Sequence, residues 1–417
     1  MPATGGLAGS LRGAGTVALA LVPLAMALAN RSSPAVVGAA ALLFLAAAWV
    51  ENPRSARLEV TSPLLTPLGL CALAFLGWCG LSLSWSPFPA LSLRMAGEFL
   101  PTLLAAYLLA RLAPGRLADG APLLAAWMIG LACAFVVVDF GSDLALRKAL
   151  GGRVAYFVHN RPAMTILLVG LPLVGLLAAC GRRFAALAVT GLGLAAILRS
   201  VSGAASLGLL AALAMFAIAR FAPSRIALGV AGAGLCLAMV LAPVEGEILH
   251  RTMPEAAHEK LVQSSSRARV AIARSFGAAV AADPWRGAGF GTSARFADTP
   301  VALALEPDLR EMLAVGHAHN SFLQVWAELG IVGAGLAAAV LLLMLREIAA
   351  MPRSARVAAL ALVAAASSIA FVEHGAWQPW WTAGLGAAIV WLREATVVSG
   401  STGRRPYAAS ASTRLRP

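Results

Sequence analysis

Charged residues are scarce in this chain. They make up 12% of its 417 residues, whereas hydrophobic residues make up 60% and the mean hydropathy is +0.81. A soluble globular domain carries about twice that share of charge, so the composition excludes a soluble fold for most of the chain. Segments of about ten residues with alternating polarity, which are typical of a membrane β-barrel, are also absent. The sequence therefore predicts an all-α polytopic membrane protein.

Cysteines and cofactor-binding motifs are scarce as well. Gly287, Gly289 and Gly291 follow no predicted strand and precede no Lys-Ser pair, so neither a P-loop nor a Rossmann turn is supported. His317, His319 and Glu311 do not form a convincing zinc set. No basic soluble domain suited to nucleic acid is present. We expect no metal, no cofactor and no nucleic-acid partner. The five cysteines lie in apolar runs without metal spacing and are predicted to be packing residues: Cys71, Cys79, Cys133, Cys180 and Cys236.

The chain does contain many apolar runs of about 17–25 residues, the length that crosses roughly 30 Å of hydrocarbon. Spans one to nine are predicted within residues 1–243 and spans ten to twelve within 320–395. A large outer loop at 244–319, with an amphipathic helix at 266–283, separates them, and a basic tail at 396–417 is expected to be disordered. The twelve predicted spans are 13–30, 34–50, 64–84, 90–110, 121–140, 162–181, 184–199, 203–219, 226–243, 320–345, 355–372 and 377–392.

The arginines predict how the chain lies in the membrane. Positive charge collects in cytoplasmic loops. With a cytoplasmic N-terminus, every inner loop holds at least two arginines, whereas the short outer connections 31–33, 85–89 and 373–376 hold one at most. An even number of spans places both termini on the same side. We therefore expect a multi-pass protein with both termini in the cytoplasm and inner arginines in contact with anionic membrane lipids.

Several outer arginines break this orientation rule. Each is either solvated or paired with an acid of the loops, or it belongs to an anion site, because the planar guanidinium suits phosphate oxygens. Arg94 lies one turn from Glu98 within the fourth span, which favours an intramembrane ion pair over a ligand role. Mid-span charges are otherwise expected to be nearly absent. The candidates for an outward pocket that holds the diphosphate of a lipid carrier are Arg94, Arg161, Arg199 and Arg267.

Polar residues also gather where the large outer loop meets the tenth span. His317, His319 and Asn320 lie at this border, where polar side chains are costly unless they are needed, so a working site is predicted there. His319 is favoured because Asn320 and the span follow it directly, while His317 is either a second contact or a bystander. His159, at the entrance of the sixth span, and Glu373, before the last span, face the same side. Each either contacts a substrate or has a structural role.

Two blocks of the sequence resemble the O-antigen ligase and polymerase family of bacterial envelope glycosyltransferases. One is Arg269 with its apolar helix and the following Pro284-Trp285-Arg286-Gly287-Ala288-Gly289-Phe290-Gly291. The other is His319-Asn320-Ser321-Phe322-Leu323, continuing through Glu328-Leu329-Gly330-Ile331-Val332-Gly333. The family often has tryptophan four residues after the arginine, whereas this chain has Ala273. That departure leaves the choice between Arg269 and Arg267 open.

The resemblance implies a membrane glycosyltransferase of the C type with His319 and Arg269 as catalytic residues. Such enzymes transfer a glycan from undecaprenyl diphosphate on the periplasmic side of the inner membrane, without a metal. The acceptor is lipid A–core in a ligase, which we favour, and a second carrier-linked glycan in a polymerase. The rival from another class is a transporter, which is typified by broken helices and ionisable residues near mid-membrane.

Overall fold

The computed structural model describes residues 6–260, 265–373 and 375–402. Over these residues the chain forms helices and no strand, which confirms the all-α prediction. In chain order the helices are α1 (Leu7–Leu28), α2 (Ser33–Glu51), α3 (Pro53–Thr61), α4 (Pro67–Ser82), α5 (Pro89–Leu112), α6 (Ala121–Gly141), α7 (Ala145–Ala149), α8 (Asn160–Ala179), α9 (Arg183–Arg199), α10 (Gly203–Phe221), α11 (Ser224–Leu241), α12 (Glu245–Thr252), α13 (Glu255–Lys260), α14 (Ser266–Ala282), α15 (Pro300–Leu303), α16 (Pro307–Leu313), α17 (Ser321–Ala349), α18 (Arg353–Val372) and α19 (Pro379–Thr402).

Each of the twelve predicted spans coincides with one long helix. Among the described residues, ten helices are long and apolar enough to cross a membrane, and α9 and α19 are not among those ten. Helix α19 continues to Thr402, beyond the predicted end of the last span at residue 392 and into the segment 396–402 that was expected to be disordered. The rest of the predicted tail, 403–417, lies outside the described residues. A polytopic membrane protein is confirmed, and the count of twelve spans stays a prediction.

Helix α8 lies at the centre of the bundle. It packs against α9, α18 and α19, with further contacts to α6 and α10. Its side chains are buried around most of its circumference, from Ala163 through Leu173 to Leu177. A helix that is apolar on every face is stable when protein or lipid surrounds it on every side, and here the surrounding helices provide most of that cover.

Helix α17 belongs to a second packed group with α4, α11 and α14. The predicted amphipathic helix is present as α14, and its apolar side chains, including Val270, Ile272 and Phe276, are buried. Helix α14 packs against the protein, mainly against α12, α16 and α17. Protein therefore covers the apolar face of this helix.

Two hydrogen bonds show which ends of four helices lie together. The first turns of α2 and α19 meet, because the Ser33 hydroxyl donates a hydrogen bond to the Trp380 carbonyl at 3.2 Å. The indole of Trp326, near the start of α17, donates to the carbonyl of Met239, near the end of α11, at 2.8 Å. All four positions fall at the predicted outer ends of their helices. We call this end of the bundle the outer end.

Candidate active site

Helix α17 is broken close to the outer end of the bundle. At Gly330 the backbone has φ +63° and ψ −164°, a conformation that glycine adopts without the steric cost of a Cβ atom. A Cβ at this position would overlap the Trp285 carbonyl. The break frees backbone groups of the helix, which need partners within a membrane span. One partner is the indole of Trp78, which donates to the Leu329 carbonyl at 2.9 Å.

The glycine-rich loop 284–291 supplies the other partners of the break. It lies against α17 so closely that a Cβ at Gly287, where φ is +67°, would overlap the helix backbone. The two sequence blocks that carry the family resemblance therefore form one unit. Three backbone hydrogen bonds join them: Ala288 N to Ala327 O (2.9 Å), Gly289 N to Glu328 O (2.8 Å) and Ile331 N to Pro284 O (2.8 Å).

The buried side chain of Glu328 holds this unit together through hydrogen bonds. Its carboxylate is fully buried, and burial of a charge is tolerated when hydrogen bonds compensate for lost water. Five hydrogen bonds do so here, and they come from three separate segments of the chain. The donors are Gly291 N (2.5 Å), Ser293 N (3.1 Å), the Ser293 hydroxyl, Gln324 Nε2 (2.9 Å) and Trp377 Nε1 (2.7 Å).

Asn320 forms the N-cap of α17. Its side-chain oxygen accepts hydrogen bonds from the amides of Phe322 (2.8 Å) and Leu323 (3.3 Å), which satisfies two of the amides that a helix start leaves open. Its side-chain nitrogen donates to Glu245 Oε1 at 2.6 Å. The residue next to His319 is therefore fixed both to α17 and to α12.

Glu245 is linked to the histidine block through its hydrogen bond with Asn320. It is 8% exposed, and its second carboxyl oxygen is buried without a hydrogen-bond partner within the described residues. Burial raises the pKa of Glu245 to about 7, although the hydrogen bond from Asn320 acts in the opposite direction. At neutral pH this carboxyl is therefore divided between its two protonation states.

His317 and His319 lie together just before α17. Their ring centroids are 4.0 Å apart in an edge-to-face arrangement, and both side chains are half-buried. His319 has φ +52°, in the left-handed region, which costs a non-glycine residue roughly 1–2 kcal/mol. On a helix, side chains two positions apart lie on different faces. The chain here is a turn after Gly316, so the rings meet.

Arg267 and Arg269 project from the first turn of α14 into different surroundings. Arg267 is exposed and pairs with Glu255, whereas Arg269 is half-buried. Water screens the charge of an exposed arginine more strongly than that of a half-buried one, so a half-buried arginine is the stronger candidate for an anion site. The surroundings therefore favour Arg269 over Arg267.

Arg161 lies at the outer end of α8, beside the loop that precedes α19. Its guanidinium carbon is 5.2 Å from the centre of the Trp380 ring, a cation–π contact. The charge of Arg161 also interacts with Glu373, which is buried at the end of α18. These predicted residues therefore share one region. The same loop reaches α17, because Ala376 N donates to Gln324 Oε1 at 2.8 Å.

Arg94 and Arg199 lie on two other helices, α5 and α9. Arg94 pairs with Glu98 at 3.0 Å, as predicted, and both side chains are largely exposed. Arg199 is exposed at the outer end of α9 and forms no ion pair within the described residues. Of these two residues, only Arg199 keeps an uncompensated charge.

His159 belongs to a separate, closed cluster. It is fully buried, and its Nε2 lies 2.6 Å from Asp139 Oδ2. The guanidinium of Arg147 contacts the same histidine, with its Nε 3.2 Å from His159 Nε2, and also donates to the Ala27 carbonyl at 2.8 Å. The structural alternative for His159 therefore describes its surroundings better than contact with a substrate.

Sequence reasoning missed several residues of this region. Mid-span charges were expected to be nearly limited to Arg94 and Glu98, and that expectation is wrong, because Glu328 lies within the tenth span. A lone acid inside an apolar run is itself a signal of function or of buried polar contacts. Glu245 had a weaker signal, as an acid directly after a span. Trp377 had none, because its role depends on a partner 49 positions away.

Residues 186–338 match the family model described as O-antigen ligase. The matched region contains α14, the glycine-rich loop, the histidine pair and the break of α17. It therefore confirms the resemblance that was predicted from those residues. No curated protein matches the chain.

Proposed function

We propose that this protein is an O-antigen ligase-like glycosyltransferase that moves a glycan from undecaprenyl diphosphate to lipid A–core. The O-antigen ligase domain at 186–338 indicates a glycosyltransferase of the ligase or polymerase type. One observation carries the finer proposal. A backbone-strained histidine stands at the outer end of a broken span, next to an asparagine that is bonded to a buried carboxyl.

The leaving group of this reaction is a diphosphate, and its charge grows as the bond to the sugar breaks. Arginines can stabilise that charge through hydrogen bonds, and such electrostatic stabilisation is commonly the largest contribution to catalysis. We assign this role to Arg269, with Arg161 and Arg199 as further donor contacts. Arg267 and Arg94 are weaker candidates because both are exposed and each also pairs with an exposed acid, Glu255 or Glu98.

His319 is proposed to act on the acceptor. The acceptor hydroxyl oxygen attacks the anomeric carbon, the bond from that carbon to the diphosphate oxygen breaks, and the hydroxyl proton passes to the imidazole. General base catalysis of this kind contributes about 10²–10⁴-fold. Attack from the side opposite the leaving group inverts the anomeric centre. The permanent charges of the arginines serve the diphosphate, so the proposal needs no metal.

The remaining assignments concern the acceptor and its surroundings. His317, with its ring against that of His319, and Asn320, which fixes the turn, are proposed to position His319. Glu373 is proposed to contact the acceptor or Arg161. His159 keeps a structural role, because it is fully buried.

The membrane side is proposed from the arginine distribution. The positive-inside rule places both termini in the cytoplasm of a bacterial inner membrane, and the histidine block then faces the periplasm. Lipid-linked glycans of this class are also the expected partners there. The domain division into spans 1–243, the loop 244–319, spans 320–395 and the tail 396–417 follows from the same topology.

Two alternatives differ in what they require. A polymerase would use the same donor site with a second carrier-linked glycan as acceptor. A transporter is favoured by the broken helix α17, since broken helices often build transport sites. Here, however, the glycine-rich loop and Trp78 bind backbone groups that the break frees, so they are not left to line a path.

The test is a transfer assay with purified protein, undecaprenyl-diphosphate-linked glycan and lipid A–core, in the presence of a chelator. A glycan-modified lipid A–core supports the ligase. Longer carrier-linked glycan without modified lipid A supports the polymerase. If neither product forms and the protein does not bind the donor, the glycosyltransferase proposal is contradicted and the transporter alternative is favoured.

A further inference from the structure

An apolar groove of about 330 Å³ lies between α10, α11 and α18. Its size falls at the lower end of the range of ligand pockets, roughly 300–1,000 Å³. Helices α10 and α18 touch closely at Gly208, where an added Cβ would lie 2.8 Å from the Ile369 side chain. The space is open towards α11 because short side chains line it: Ala211, Ala214, Ala231, Gly234, Ala238 and Ala364.

The lining contains little polarity. Ser367 and Ser368 are its only polar side chains among the described residues, and the hydroxyl of Ser367 is bonded to the Val363 carbonyl of its own helix at 2.7 Å. A groove of this kind, within three membrane-spanning helices, suits a hydrocarbon chain and disfavours a sugar or an ion.

The outer end of the groove meets the proposed active site. Leu207, Ala238 and Phe371 mark this end on the three helices. The Phe371 ring centroid is 6.5 Å from that of Phe322, and Phe322 is the second residue of α17, two positions after Asn320. A chain lying in the groove would therefore have its head group beside the histidine block.

The charge at this end suits an anionic head group. Arg199 precedes the first residue of α10 by four positions, is exposed and forms no ion pair within the described residues. An apolar groove below an uncompensated arginine matches a molecule that joins a long hydrocarbon chain to phosphate. The glycan donor of the proposed reaction has this composition.

We infer that the groove between α10, α11 and α18 binds the polyprenyl chain of the lipid diphosphate donor. This inference rests on the proposed function and deepens it, since it gives the carrier chain a place in the protein. The groove accounts for selection of the donor by its lipid as well as by its glycan. An acyl chain of an ordinary phospholipid is the rival occupant.

The first test compares groove-filling variants on two donors. Ala214→Trp and Ala364→Trp fill the groove, while Ala217→Trp, an exposed position of α10 outside the groove, is the matched control. With the undecaprenyl donor, kcat/KM should fall by about tenfold or more in the groove variants, which corresponds to roughly 1.4 kcal/mol. With a donor that carries only two isoprene units, the variants and the control should equal the wild type.

Ala214→Leu repeats the test with a smaller side chain in case the tryptophan variants do not accumulate. Equal kcat/KM in the groove variants and the control with the undecaprenyl donor overturns the inference. An equal loss with both donors also overturns it, because it reports a general disturbance of the bundle.

The second test needs no catalysis, so it separates failure of the groove from failure of the proposed function. A photoreactive polyprenyl diphosphate is bound to the wild-type protein and the labelled peptides are identified. Labels on α10, α11 and α18 that undecaprenyl diphosphate displaces and phospholipid does not displace support the inference. Labels displaced equally by phospholipid, or labels elsewhere, overturn it. If the wild type transfers glycan from neither donor of the first test, the proposed function is contradicted, and the labelling result still decides the inference about the groove.

Discussion

Two histidine–asparagine pairs stand at the outer starts of long helices, and the structure treats them differently. His159 precedes α8 in an ordinary conformation, with φ −80°, and lies fully buried between Asp139 and Arg147. His319 precedes α17 with φ +52°, is half-buried and has a second histidine ring against it. The residue types are the same in both pairs, and the positions differ by one: His159 is the N-cap of α8, whereas Asn320 is the N-cap of α17.

The difference lies in what surrounds each histidine. At His159, the opposite charges of Asp139 and Arg147 compensate each other inside the protein, so the buried polar groups of this cluster have partners. At His319, the neighbouring asparagine takes the capping role and binds Glu245, while the histidine itself stays near the surface of the outer end. Polar residues at the start of a membrane-spanning helix are therefore a candidate site when the surrounding protein leaves them accessible.

The largest expected effect separates the two histidines by activity. His319→Ala should lower the transfer rate by about 10²–10⁴-fold, because the proposed general base is lost, while the amount of folded protein stays close to that of the wild type. His159→Ala should do the reverse, with less folded protein and an unchanged rate per folded molecule. Transfer rates normalised to folded protein from size-exclusion chromatography check this. Equal rates for the two variants would remove the distinction.

The next effect concerns the stability of the closed cluster. Asp139→Ala leaves the 4% exposed guanidinium of Arg147 without its carboxylate, which should cost about 3–5 kcal/mol of unfolding free energy. The matched control is Asp143→Ala, which removes an exposed partner of Lys148 and of the Tyr156 hydroxyl and should lower the unfolding free energy far less. Denaturant unfolding in detergent measures both. A cost for Asp139→Ala as small as that of the control would show that the cluster is not a buried charge pair.

A smaller effect should appear in the pH dependence at the histidine block. Because the pKa of Glu245 is raised from 4.5 to about 7, the folded protein holds this proton more tightly than the unfolded chain does. The contribution to stability is full below pH 4.5 and is lost as the pH rises to about 7, a change of about 3 kcal/mol. Glu245→Gln should remove this dependence from the unfolding free energy measured between pH 4.5 and 7.

Glu247 is the control of opposite sign. Its hydrogen bonds with Arg251 and Arg274 lower the pKa of its carboxyl. Its contribution to folding stability is therefore present above the ordinary pKa of a glutamate and is lost as the pH falls below that value. Glu247→Gln should therefore leave the loss between pH 4.5 and 7 in place. If Glu245→Gln also leaves that loss unchanged, another group causes it.

The smallest effect tests the backbone difference between the two histidines. At position 319, glycine should be more stable than alanine by about 1 kcal/mol, because only alanine has a Cβ in the left-handed region. At position 159, where φ is −80°, alanine should be more stable than glycine by about 0.5–1 kcal/mol. Thermal unfolding of the four variants gives both orders. The same order at both positions would contradict a left-handed His319.

The long helices were predictable because the length of an apolar run is a local property of the sequence. The capping role of Asn320 was close to predictable for the same reason. The partners of the two histidine–asparagine pairs were not, since Asp139 lies 20 positions before His159 and Glu245 lies 75 positions before Asn320. Hydrophobic periodicity carries no information on such pairs. The break at Gly330 was also missed, because its cause is contact with a loop 39 or more positions earlier.

The central claim is that His319 acts on the acceptor and is not required to hold the donor. The most direct measurement is a single turnover with His319→Ala, in which labelled undecaprenyl-diphosphate-linked glycan is bound first and lipid A–core is then added. If His319 acts only on the acceptor, the variant binds the donor like the wild type and forms almost no modified lipid A–core. Formation of that product at the wild-type rate would contradict it.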